Sequence, residues 1–438
     1  MQAPYLIMTG LYLLLTGVVT LDSSLASIGL MPALAGLKWM RVHFVTLGVL
    51  TQMVFGLLPW FTARGLKLPN AKMNWATWLL YNCGLAILLI GLPSVNAPSI
   101  ITGGTLIFIA ILFLMKDLIA LRRTAIANKG RTVCETYSTT RFYLGSLLYL
   151  LVGVIVGTGL WIGWSEALHI AVPKEVHVHT NLWGFTAIVF AGILYDLFPE
   201  LTRQKLLGKL RLDMLVFGSM MLGTLGLVTG PWLDIGWPAV VGLVLHTVGT
   251  LIQLAQLIRL VVSKRKMRNP GMAHLVSSYL WLLMPVIVAP YIVAKATEDF
   301  PVAEVTGNGG PILIYGWIVT FSLAVLPYFF NQTFQPKQNP SLGGSWLSLL
   351  SMHIGSVIFW AALFFPAVQA GLRAGAYFLW FAGLLPLLVN LYRQTKAVVD
   401  KIDQNTRLVV PTEKGYAQHV GDLGASEIPE GFSPTIDP

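Results

Sequence analysis

Apolar residues gather along this chain in runs near 20 residues long that carry few or no charges. A bilayer core about 30 Å thick asks for helices of that length. The runs predict roughly twelve membrane-spanning helices, at 4–21, 39–62, 74–93, 98–121, 141–163, 178–199, 212–231, 236–260, 272–294, 309–331, 344–368 and 374–396. The expected fold class is an all-α polytopic membrane protein, with a transmembrane domain over residues 1–400 and a mobile tail over 401–438.

Composition agrees with the pattern: 55% of residues are hydrophobic and 11% charged, and the mean hydropathy is +0.70. A soluble globule of this size is excluded. Charge adds an orientation. All but five of the 29 basic residues fall in the segments that follow even-numbered runs, such as LRRTAIANKGR, TRQKLLGKLR and SKRKMR, or at the helix ends that border them. The five on the other side are Lys38, Arg41, Lys174, Lys295 and Arg373. The positive-inside rule then puts both termini in the cytoplasm of a cell whose plasma membrane holds the protein. The net charge of +10 is thus a signal of topology and of attraction to anionic lipid, not of nucleic acid. The first run has no basic leader and no small-residue cleavage site, so it reads as a retained helix. Cys83 and Cys134 are too few for a disulfide framework or a thiolate metal site, and the absence of CxxCH argues against covalent haem.

Ionisable groups inside a bilayer are expensive, which makes each a functional candidate. His43, His177 and His179 stand at the outer ends of the second and sixth runs; His246 and His353 fall near mid-depth of the eighth and eleventh. A lone buried imidazole such as His246 or His353 is as readily a hydrogen-bonded packing residue as a ligand. The pair in HVHTNLWGF is different. On a helix, residues two apart point about 200° away from each other, so His177 and His179 cannot share one small ion and can address two separate groups.

The second and sixth runs also match one another. Placing His43 on His179 brings Gly48 onto Gly184 and Gly56 onto Gly192. Glycines along one face let a flat ligand or another helix come close. Four runs separate the two copies, and the tenth run, ILIYGWIVTFSLAVLPYFFNQ, keeps the aromatic residues and the proline without a histidine. The chain therefore reads as three pseudo-repeats of four helices.

With RVHF on the second run and HVHTNLWGF followed by GILYDLFPEL on the sixth, the chain resembles subunit I of the haem-copper oxidase superfamily, in its cbb3-type oxidase and nitric oxide reductase branch. The resemblance implies a haem-binding membrane redox protein with one or two b-type haems. His43 would be an axial ligand, His177 and His179 ligands on opposite faces of one helix, and Arg41 a partner for a haem propionate. Because His179 aligns with His43, it is expected to share that haem, leaving His177 to a second haem or to a capping role. The pattern departs from the family in one respect above all: the histidine pair lies on the sixth helix instead of the tenth. The seventh run, LDMLVFGSMMLGTLGLVTG, has no histidine, so a copper centre is poorly supported.

Two readings follow. In one, the protein handles electrons and a diatomic gas, oxygen or nitric oxide, and receives electrons from a donor or partner subunit. In the other, the fold serves a haem or gas sensor, a haem carrier or a transporter.

Overall fold

The computed structural model of the protein describes residues 2–132, 137, 139–202, 212–263, 268–293, 300–335 and 341–409. Cys134, Lys295, most of the two basic segments at 202–211 and 263–268, and the expected tail from residue 410 onward lie outside them. Among the described residues there are helices and turns and no strand. Ten helices are long and apolar enough to cross a membrane. In chain order they are α1 (Ala3–Ser27), α2 (Leu37–Gly65), α4 (Ala97–Lys129), α5 (Thr140–Ile162), α6 (Pro173–Thr202), α7 (Leu212–Leu233), α8 (Gly236–Ser263), α9 (Pro270–Val293), α10 (Ile312–Phe334) and α12 (Gln369–Val409). Two shorter apolar helices complete the order: α3 (Trp75–Gly91) and α11 (Trp346–Ala362). Each has 17 residues, or about 26 Å at the helical rise, a little less than a bilayer core.

Met1–Leu388 form one compact unit; the described part of the other, Val389–Pro438, is the end of α12, which stays helical to Val409. Within the larger unit, α2, α6 and α10 are the inner helices. They are buried along 89%, 89% and 100% of their most apolar stretch, against 33–50% for the other seven long helices. Apolar side chains facing outward from the remaining helices, such as Ile7, Leu148 and Leu222, suit contact with lipid.

The three inner helices share an irregularity. Each contains an eight-residue π-helical stretch: Phe44–Thr51, Thr180–Ala187 and Ile312–Val319. The widened turn exposes a carbonyl that a regular helix would use, and a threonine hydroxyl five residues on donates to it. Thr51 bonds Thr46 O at 2.7 Å, Thr186 bonds Asn181 O at 2.8 Å and Thr320 bonds Tyr315 O at 3.0 Å. Each stretch also seats an aromatic ring from the long helix that packs beside it. A Cβ on Gly48 would stand 2.4 Å from Tyr12 of α1, on Gly184 2.5 Å from Tyr149 of α5, and on Gly316 2.7 Å from Trp281 of α9. The matched glycines thus admit a neighbouring helix, not a flat ligand.

Candidate haem-ligand site

The helices that carry the histidines begin earlier than hydropathy suggests. Gly36, at φ 72°, turns the chain into α2, so His43 lies in the second helical turn. Pro173 opens α6, its preset φ suiting a first helical position. His177 and His179 therefore both lie on regular helix just before the widened turn, and the expected divergence of their side chains follows.

His177 points towards α5, where its Nδ1 lies 2.9 Å from Gly153 O. His179 points towards α7, its Nδ1 2.7 Å from Leu227 O, and meets the Trp183 ring edge-on with centroids 5.2 Å apart. His43 is held by its own helix: its Nδ1 lies 3.0 Å from Trp39 O, and its ring stacks on Trp39 at 4.1 Å and 11°. A carbonyl can only accept, so all three imidazoles carry their proton on Nδ1 and present an unprotonated Nε2. That is the tautomer of a metal-ligating histidine whose other nitrogen is anchored.

The imidazole facing His43 is His177, with ring centroids 6.3 Å apart and planes inclined by 27°. This corrects the expected pairing of His43 with His179. Alignment matches positions along two parallel helices, and matched residues point the same way round the bundle, not at each other. The partner of His43 is consequently the residue about 200° away on α6. The spacing has chemical meaning. With metal–nitrogen bonds of about 2.0 Å, two imidazoles on opposite sides of one ion hold their ring centres roughly 6.3 Å apart. Both rings keep some exposed surface although the turns below them are buried. Among the described residues no group of three or more histidine, cysteine or acidic side chains is placed to hold a metal ion. A porphyrin brings four nitrogens of its own and asks the protein for only one or two more, so this donor set fits haem.

The other predicted residues are placed differently. Arg41, two residues before His43, lies on the far side of α2, with its guanidinium 5.2 Å from the Tyr377 ring of α12, and its backbone carbonyl accepts from Tyr315. It faces another part of the bundle from His43. His246 is buried beside α6, its Nε2 3.3 Å from Trp183 O and its Nδ1 3.4 Å from the Thr250 hydroxyl. His353 accepts on Nδ1 from Trp281 Nε1 at 2.9 Å and lies 2.8 Å from Ser277 Oγ through Nε2. His353 is hydrogen-bonded through both nitrogens, whereas the Thr250 hydroxyl beside His246 donates to the His246 carbonyl at 2.9 Å.

Two participants escaped sequence reasoning: Trp39, which buttresses His43, and the Gly153 carbonyl, which fixes the His177 tautomer. Asn181, two residues after His179 and a readable partner for the pair, donates to His177 O at 2.7 Å. The spacing of Gly153 and Gly157 in the fifth run was a readable sign of close helix approach. No protein-family model matches the chain, and no curated protein or solved structure does either.

Proposed function

We propose that the chain is a twelve-span membrane haem protein, built as three repeats of four helices in the manner of haem-copper oxidase subunit I. A b-type haem would lie between α2 and α6 with His43 and His177 as its axial ligands. The observation that carries this is the pair itself: two imidazoles at 6.3 Å, each with Nδ1 anchored on a carbonyl and Nε2 free. The repeated π-helical stretches and their seated aromatic rings support the repeat reading.

Haem supplies one-electron chemistry when bound, and its axial ligands decide between electron transfer and gas binding. Held by both His43 and His177, a haem would supply electron transfer in preference to gas binding. The residues here orient the ligands and exclude water: Trp39 covers one face of His43, while Gly153 and Asn181 hold His177. His179 offers a single imidazole on the opposite face of α6. A second haem there would keep an open position, suited to oxygen or nitric oxide. Electrons would come from a donor or partner subunit at the outer surface, and the basic segments orient both termini to the cytoplasm of a plasma-membrane protein.

A reduced-minus-oxidised visible spectrum of purified protein tests the reading. Low-spin b-type bands that vanish in His43→Ala and in His177→Ala, with His179→Ala removing only carbon monoxide reactivity, are expected. Absence of haem would favour transport or another cofactor-free role.

A further inference from the structure

The two imidazoles of the proposed site are held in unlike ways. His43 is oriented entirely by its own helix, through Trp39 O and the Trp39 ring. His177 depends on α5. A Cβ at Gly157 would stand 2.4 Å from His177 Cε1 and 2.6 Å from its Nδ1, and one at Gly153 would stand 2.4 Å from Asn181 Nδ2. The Gly153 carbonyl accepts a hydrogen bond from His177 Nδ1, while Asn181 Nδ2 donates to the His177 carbonyl.

We propose that Gly153 and Gly157 form a notch in α5 that positions His177, so that this notch determines whether the iron between α2 and α6 carries one imidazole or two. The inference rests on the haem reading above and names the control of that site. An alanine methyl at 157 overlaps the ring itself, on the side of the nitrogen that the α5 carbonyl holds. Relief requires the ring to move by about 1 Å, more than a preorganised ligand tolerates. At 153 the overlap falls on Asn181, and His177 is disturbed only through it. Both glycines are positioning residues; neither touches the iron.

Two measurements on the full-length protein decide this. In purified haem-loaded protein, Gly157→Ala should convert the low-spin iron to a five-coordinate form and raise the carbon monoxide-reactive fraction at least tenfold. Leu148→Ala, on the exposed side of the same helix, should leave the spectrum as in the wild type. In haem-free protein, thermal unfolding of Gly157→Ala, His177→Ala and the double variant should show coupling: Gly157→Ala lowers the midpoint, and adding His177→Ala restores it to that of His177→Ala alone. If the two effects simply add, or if Gly157→Ala keeps a wild-type spectrum, the notch is refuted while the haem reading stands. If the wild type takes up no haem but the coupling appears, the haem reading fails and the notch stands as a packing device. Should Gly157→Ala fail to accumulate in membranes, Gly153→Ala decides: its low-spin signal should fall and recover in Gly153→Ala/Asn181→Ala, and no recovery would overturn the proposal.

Discussion

The space between α2 and α6 and the surroundings of α10 begin from the same backbone and end in opposite chemistry. Both contain the widened turn and its seated ring. Between α2 and α6, polar rings face one another across 6.3 Å. On α10, the position matching His43 and His179 is Pro311, and the surroundings are filled by aromatic side chains. Tyr315 stacks on Trp380 at 4.5 Å and 8°, Phe359 lies 5.3 Å from Trp380, and Tyr377 meets both Tyr315 and Trp380 edge-on. The Tyr315 hydroxyl ties the group to Thr20 and to the carbonyl of Arg41. The difference teaches that the fold does not itself require histidine at these turns. At the outer end of α10 aromatic rings fill the space, whereas His43, His177 and His179 are each anchored through Nδ1 on a carbonyl.

Four substitutions would break or sharpen that contrast. The largest effect is expected from His43→Ala, which should abolish the low-spin haem signal while the protein stays in the membrane; an unchanged visible spectrum would sink the ligand assignment. Trp380→Ala should act on the other region only. Removing a fully buried indole costs roughly 3–5 kcal/mol, so thermal unfolding should fall sharply with haem content per folded protein preserved. Loss of haem in that variant would mean the two regions are not independent. His353→Ala should be milder, about 1–3 kcal/mol, because it strands the Trp281 indole N–H, while the Ser277 hydroxyl keeps its bond to Ala273 O; a drop in haem-to-protein ratio would return His353 to the ligand set. Smallest is Arg41→Gln, expected to leave haem stoichiometry and the low-spin spectrum unchanged, since the guanidinium faces Tyr377. A shifted spectrum or midpoint potential would restore Arg41 as a propionate partner.

The helix starts were legible in hydropathy to within about five residues, because the cost of exposing backbone and charge to lipid is read directly from composition, whereas α4 and α12 run on to Lys129 and Val409, past the ends at 121 and 396 that hydropathy predicts. The histidines were legible for the same reason. Their pairing was not: matching Gly48 with Gly184 sets depth, whereas contact depends on rotation about each helix axis. The rotation rule that separates His177 from His179 applies equally to Arg41 and His43, and by itself turns Arg41 away from the face that carries the imidazole. What fills the notch at each matched glycine comes from another helix, Tyr12 or Tyr149, and no local pattern in the second or sixth run announces it. The π-helical stretches leave no compositional trace either, since threonine five residues from a carbonyl is common in any apolar helix.

Those widened turns act as phase-setters. A π-bulge is in effect one residue added to an α-helix, so everything on one side of it is rotated by about 100° relative to the other. Below the turn, α2 and α6 present residues chosen to pack the interior; above it, they present His43 and the 177–179 pair in an angular setting that the packed half does not dictate. A one-residue deletion within 44–51 or 180–187 would shorten the helix by a single residue and leave its apolar character and every histidine intact, yet would turn the imidazoles by a quarter of a circle. Two chains of this kind, alike in all but a single codon in the turn, would therefore differ in whether their histidines meet at all.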